Sequence, residues 1–115
     1  MKKLSECKTK SESEKVLLLK CRNAVKKVDP SAEVILYGSR ARGDAEPESD
    51  YDLLILTDGE SSLEREDIFR RQLFPIEIEN SAVLTIILIN RKDWNSSLYD
   101  AMPLYQNIKR EGVVL

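Results

Sequence analysis

The alternation of apolar periods along the chain predicts an α/β (α+β) domain, a small mixed β-sheet of three or four strands packed with helices. Three observations carry that expectation. A run with helical spacing over residues 12–28 is closed by Asp29-Pro30. Short, almost wholly apolar runs at 33–37, 51–57 and 83–89 end in turn residues and are too brief for helices. Helical patterns separate and follow those runs. With 115 residues, 42% of them hydrophobic and 33% charged, and with only four glycines and four prolines, the chain is read as one globular domain over residues 1–115.

Residues 1–10 are polar and are expected to be frayed or disordered. Ser11 and Glu14 have the spacing of a helix capping box, ahead of Val16-Leu17-Leu18-Leu19. Leu18, Cys21, Val25 and Val28 then share one face, and Lys26 and Lys27 sit in the last turn, where the helix dipole favours cations. Proline after Asp29 stops that helix. Glu33 to Tyr37 reads as a buried strand ending at Gly38. Tyr51 to Thr57 is apolar on both faces, as expected of a central strand, and Asp58-Gly59 is a turn. From Ser62 the pattern is helical, with Phe69, Leu73 and Ile76 on one face. Pro75 leaves residues 74–80 with two readings: a kinked helix to about Asn80, which we favour, or a strand in which Phe74, Ile76 and Ile78 alternate with Glu77 and Glu79. Val83 to Ile89 is a third strand. A helical region begins at Asp93-Trp94, Pro103 suits a helix first turn, and Gly112 suits its end. The apolar tail Val113-Val114-Leu115 is able to pair as an edge strand with another copy, giving a homo-oligomer.

Composition excludes whole classes of chemistry. The chain has no histidine, which removes His-based triads and every zinc site that needs imidazole. A net charge of −2 argues against a general nucleic-acid-binding protein, and the acidic run Asp44, Glu46, Glu48 argues mildly in the same direction. The longest apolar stretch, Ala82 to Ile89, is far short of the ~20 residues that span a bilayer, so no membrane partner is expected. A polar N-terminus and two cysteines, Cys7 and Cys21, read as idle thiols point to the cytoplasm.

The chemistry-bearing segment is Gly38-Ser39-Arg40-Ala41-Arg42-Gly43-Asp44, continuing through Pro47 to Ser49-Asp50-Tyr51-Asp52. Glycine at a strand end lets the backbone turn sharply and come close to a ligand. The N–H groups of a helical turn just after it suit phosphate, and Ser39 adds a small hydroxyl. Arg40 and Arg42 either reach phosphate oxygens or pair with Asp44 or Glu46. Asp50 and Asp52 are two apart at the start of a strand and so project to one side. Two neighbouring carboxylates repel, and a hard dication such as Mg²⁺ removes that cost. Alone, either half reads as an ordinary turn or a solvated loop; the spacing of the two together points to a metal–nucleotide site. Thr85 reads as a satisfied core hydroxyl, and Trp94 and Tyr105 as packing residues.

Gly-Ser, ten residues, then Asp-x-Asp resembles the signature of the DNA polymerase beta-like nucleotidyltransferase superfamily. The wording Gly-Ser-Arg-Ala-Arg-Gly-Asp…Ser-Asp-x-Asp-Leu-Leu looks like its minimal, antitoxin-type prokaryotic members. The likeness is dense over residues 35–56 and looser in layout to the C-terminus, including Lys92-Asp93-Trp94 and Ile108-Lys109-Arg110-Glu111-Gly112. The resemblance implies a polymerase beta-like fold and transfer of a nucleoside monophosphate from a nucleoside triphosphate, ATP first among them, to a hydroxyl. It implies that Gly38 and Ser39 hold the β- and γ-phosphates and that Asp50 and Asp52 bind up to two Mg²⁺ ions. It also implies a third carboxylate on the next core strand. That strand offers only Thr85 as a polar residue; Glu77 or Glu79 fills the role if Phe74 to Glu79 is a strand, and otherwise a partner chain supplies it or nothing does. A missing acid costs the proton transfer ~10²–10⁴-fold in rate. The chain shows no second domain for an acceptor, which points to an acceptor on a partner. The other reading is a nucleotide-binding or antitoxin-like module that acts on a small helical HEPN-type partner without turnover.

Overall fold

The computed structural model describes residues 1–8 and 10–115. Its elements run β1 (Lys2–Lys3), a 3-10 turn (Leu4–Glu6), α1 (Glu12–Val28), β2 (Glu33–Tyr37), α2 (Ser39–Arg42), β3 (Tyr51–Thr57), α3 (Leu63–Asn80), β4 (Leu84–Asn90), α4 (Arg91–Trp94), α5 (Ser97–Asp100), α6 (Pro103–Glu111) and β5 (Val113–Val114). The five strands form one mixed sheet in the order β1-β5-β2-β3-β4. β2 and β3 are antiparallel, whereas β3 and β4 are parallel and joined by the α3 crossover.

Alternation along the strands divides the core into two layers. One face of the sheet carries Val34, Leu36, Leu53, Ile55, Ile86 and Leu88, covered by Leu18, Cys21 and Val25 of α1 and Phe69, Leu73 and Ile76 of α3. The other carries Ile35, Leu54, Leu56 and Ile89, covered by Trp94 and by Ile108 of α6. β3 lies between β2 and β4, and all its residues except Asp52 are buried, as expected of a central strand.

Local signals set the helix ends. Ser11 Oγ accepts from the Glu14 N–H at 3.2 Å and starts α1, and Asp29 caps its C-terminus. Ser62 does the same for α3 through the Arg65 N–H. α3 runs unbroken through Pro75, in keeping with the helical reading. Proline removes one helical hydrogen bond, but it stands on the exposed side while Leu73 and Ile76 hold the inner face against the sheet. Glu77 and Glu79 are therefore helical. Glu77 accepts from the Leu84 N–H at 3.0 Å and Glu79 pairs with Lys20 at 3.3 Å.

Three expectations change. The sheet has five strands, not three or four, because each chain end adds a two-residue strand. The apolar tail pairs within its own chain: Val113 and Val114 lie against Leu36 and Ile35 of β2, and Lys2 and Lys3 lie parallel to them. The N-terminal residues are held rather than frayed, with Leu4 and Cys7 buried in the α1 layer, although the part of that expectation touching residue 9 lies outside the described residues. Cys7 and Cys21 are both free and buried, and burial pushes the Cys21 thiol up to about 12. Among the described residues no helix is long and apolar enough to cross a membrane.

Candidate functional site

The antiparallel register places Tyr37 opposite Asp52, and the parallel register places Thr85 on the other side of Asp52. Three strands thus bring these residues side by side at one end of the sheet, on the face that α6 covers. Gly38 comes directly after Tyr37, with φ 75° and ψ −159°, a conformation that L side chains avoid. It is also where Asp52 comes closest, since a Cβ built on Gly38 would overlap the Asp52 carboxylate at Oδ2. Positive φ and close approach both require glycine here.

Ser39 opens α2. The Ala41 and Arg42 N–H groups bond the Gly38 carbonyl at 3.0 and 3.1 Å, and Gly43 ends the turn in the left-handed region with φ 84°. The Ser39 and Arg40 N–H groups, at the start of that turn, have no acceptor inside it. The tight turn and the Asp52 carboxylate are thereby neighbours.

Asp50 stands one residue before β3, two from Asp52, and is exposed. Carrying the strand alternation back one residue puts it on the Asp52 side, while Tyr51 between them is buried in the opposite layer. Among the described residues Asp50 has no hydrogen-bond or ion-pair partner. The Asp52 carboxylate has one: Thr85 Oγ1 donates to its Oδ1 at 2.5 Å. Thr85 is exposed and bonded to the acid, not a core hydroxyl as the sequence suggested.

The two arginines have partners within the protein. Arg40 lies over the Tyr51 ring at 4.3 Å and donates to the Pro47 carbonyl at 2.9 Å and the Ser49 carbonyl at 2.9 and 3.2 Å. It ties down the loop that delivers Asp50 and is not paired with Asp44 or Glu46. Arg42 pairs with Asp44 at 3.2 Å and with Glu111 of α6 at 3.5 Å, which is the pairing alternative. Glu77 and Glu79 sit in the α1–α3 layer, across the sheet from Asp52, so neither joins the site as a third acid. Among the described residues no cluster of three or more acidic, cysteine or histidine side chains is poised to hold a metal.

A cleft of about 180 Å³ opens beside the turn, lined by Tyr37, Gly38 and Arg42 on one side and Leu104, Asn107, Ile108 and Glu111 of α6 on the other. Burial, reinforced by the Asp52 carboxylate and Tyr105, pushes the Tyr37 phenol up to about 12, so it stays neutral and able to donate. Tyr105 stacks on Tyr99 at 4.8 Å and meets Trp94 edge-on at 5.5 Å, which firms the α4–α6 wall. A larger hollow of about 500 Å³ lies by Glu14, Arg40, Tyr51 and Asn80, and neither Asp50 nor Asp52 lines it. Neither acid lines the small cleft either, but Tyr37 and Gly38, which adjoin Asp52, do, so the small cleft is the one that lies beside the open carboxylates. Sequence reasoning missed Tyr37 and the α6 wall; position just before Gly38 was the available signal for Tyr37.

A solved structure shares this architecture. A crystal structure from Sulfolobus solfataricus, described as a candidate nucleotidyltransferase, superposes with TM-score 0.56 and 22% identity, covering 96% of this chain and 89% of that one. Cid1, described as an RNA terminal uridylyl transferase, is matched with TM-score 0.47 and 22% identity over 85% of this chain and 35% of its own. No curated protein sequence gives a significant match. The nucleotidyltransferase domain family matches residues 18–112, from the core of α1 to the end of α6 and across every residue of the Gly38–Asp52 site, and the chain belongs to that family.

Proposed function

We propose that this chain is a Mg²⁺-dependent nucleotidyltransferase that moves a nucleoside monophosphate from a nucleoside triphosphate, ATP first among them, to an acceptor hydroxyl on a partner protein. The observation that carries the reading is the contact between the Gly38 turn and Asp52, with the unpartnered Asp50 beside it. Membership of the nucleotidyltransferase family supports it.

The donor set fits the ion: two carboxylates supply hard, anionic oxygens, and no soft or imidazole ligand competes. A bound Mg²⁺ would neutralise the carboxylate pair and the phosphate oxygens and draw charge from the reacting phosphoryl group. The remaining work belongs to the chain. The free N–H groups of Ser39 and Arg40 and the Ser39 hydroxyl seat the β- and γ-phosphates. Gly38 lets those phosphates approach Asp52 without a side chain between them. Arg40 holds the Pro47–Ser49 loop so that Asp50 arrives beside Asp52. The acceptor oxygen bonds to the α-phosphorus, the bond from that phosphorus to its bridging oxygen breaks, pyrophosphate leaves, and the acceptor proton passes to solvent. Two buried, free thiols fit a reducing cytoplasm.

Thr85, where a third acid was expected, favours a second reading: a nucleotide-binding module that acts on a small helical HEPN-type partner without turnover. Incubation with α-labelled ATP and Mg²⁺, with and without the product of the neighbouring gene, separates the two. Label transfer that disappears in Asp50→Ala and Asp52→Ala establishes the enzyme. Nucleotide binding with no transfer under either condition establishes the module.

A further inference from the structure

We infer that the Asp50–Asp52 pair takes a single divalent cation and that Thr85 is the positioning residue that sets this limit. The inference rests on the nucleotidyltransferase reading above and specifies the stoichiometry of its metal site.

The placement of the two Asp52 oxygens carries it. Oδ1 accepts a short hydrogen bond from Thr85 at 2.5 Å, and Oδ2 faces Gly38. The carboxylate is therefore oriented: one oxygen toward the turn that would receive phosphates, the other toward a hydroxyl proton. A two-ion centre needs ions ~3.5–4 Å apart, which calls for a shared ligand and for further ligands around the second ion. β2 and its Gly38 turn flank Asp52 on one side and β4 flanks it on the other, where the residue in register with Asp52 is Thr85. Its hydroxyl is neutral and its proton is already committed to Oδ1. No third acid stands nearby among the described residues, because Glu77 and Glu79 are held in the opposite layer. The two carboxylates by themselves balance one dication, and a second would have only the nucleotide's phosphates and a neutral hydroxyl to hold it. Thr85 thus does two things: it fixes which Asp52 oxygen faces the phosphate turn, and it fills the place a second ion's ligand would need.

The test counts Mn²⁺, used as a paramagnetic stand-in for Mg²⁺, bound per folded full-length chain in the presence of α,β-methylene-ATP, by equilibrium dialysis and electron paramagnetic resonance. The native protein is expected to retain one uncoupled Mn²⁺. Thr85→Asp is expected to retain two, with the spin coupling of neighbouring ions. Thr85→Ser should match the native protein, and Thr85→Val should keep one ion with about tenfold weaker affinity, a difference that loss of packing alone would not reverse with serine. Two ions in the native protein would overturn the single-cation inference and leave the nucleotidyltransferase reading intact. A folded Thr85→Asp that still holds one ion would also overturn it. No Mn²⁺ retained by the native protein would remove the metal reading and this inference with it. Should Thr85→Asp fail to fold, the native count and the Ser/Val pair decide.

Discussion

Strand β3 has a carboxylate–hydroxyl pair at each end, and the two pairs are finished differently. At the Thr57 end, the fully buried Thr57 donates to Asp29 Oδ2 at 2.6 Å. Arg65 reaches the same oxygen at 3.5 Å and also donates to Thr57 Oγ1 at 3.0 Å, while Ser31 gives Asp29 Oδ1 two further bonds at 2.7 and 3.0 Å. Led by the Thr57 bond and helped by Ser31 and Arg65, this network holds the Asp29 carboxyl down at about 2. At the other end, among the described residues, the Asp52 carboxylate has one hydroxyl partner and no cationic one. Both nearby arginines are spent, Arg40 on loop carbonyls and Arg42 on Asp44 and Glu111. A carboxylate that the fold uses is compensated by the fold. A carboxylate left with one hydroxyl and solvent keeps its charge available to a cation, which is the reading proposed above for Asp52, whereas Asp29 is satisfied by the fold.

That contrast can be broken in order of effect. The largest belongs to Asp52→Asn: label transfer from α-labelled ATP should fall about a thousandfold, the several kcal/mol expected of a lost cation ligand. Its urea unfolding midpoint should stay close to native. Asp29→Ala should do the reverse, lowering unfolding free energy by about 2–3 kcal/mol because Thr57 and Arg65 lose a shared charged partner. Its transfer rate per folded molecule should be native. Equal losses of stability in the two variants would erase the distinction between the ends.

Gly38→Ala sharpens the site end. Strain at positive φ should cost about 1–3 kcal/mol in urea unfolding, and pressure on the Asp52 carboxylate should depress nucleotide binding beyond what stability explains. Acid sharpens the other end. The folded value of Asp29 lies below its ordinary 3.8, so its contribution is complete above about 4 and is lost as pH falls toward about 2. Unfolding free energy measured from pH 5 to pH 2 should therefore decline, and Asp29→Ala should flatten part of that decline. The smallest effect is expected from Arg40→Gln, about 1 kcal/mol by urea unfolding, with a drop in transfer from the loosened Pro47–Ser49 loop.

How much of this was legible beforehand depends on the range of the forces involved. The caps at Ser11 and Ser62, the stop at Asp29-Pro30, the α2 turn bracketed by Gly38 and Gly43, and the helix from Pro103 are all set by neighbours within a turn or two. Pro75 left helix and strand open because both apolar patterns fit the same six residues; burial of Leu73 and Ile76 against the sheet decided for the helix. The Gly-Ser and Asp-x-Asp spacing could be read as a site because alternation and turn geometry place those groups with little help from the rest of the molecule.

What the chain alone determined, then, is its sequence of elements, the tight turn and the two acids on one side of a strand start, since period, caps and glycine conformations act over a few residues; the β2–β3 register brought turn and acids together. Only tertiary structure decided that Thr85, 33 residues from Asp52, would donate a hydrogen bond to it, that Arg40 would turn to the loop, and that both chain ends would join the sheet. Those outcomes rest on strand register and on which cation finds a carbonyl first, and both are settled by contacts between segments distant in sequence.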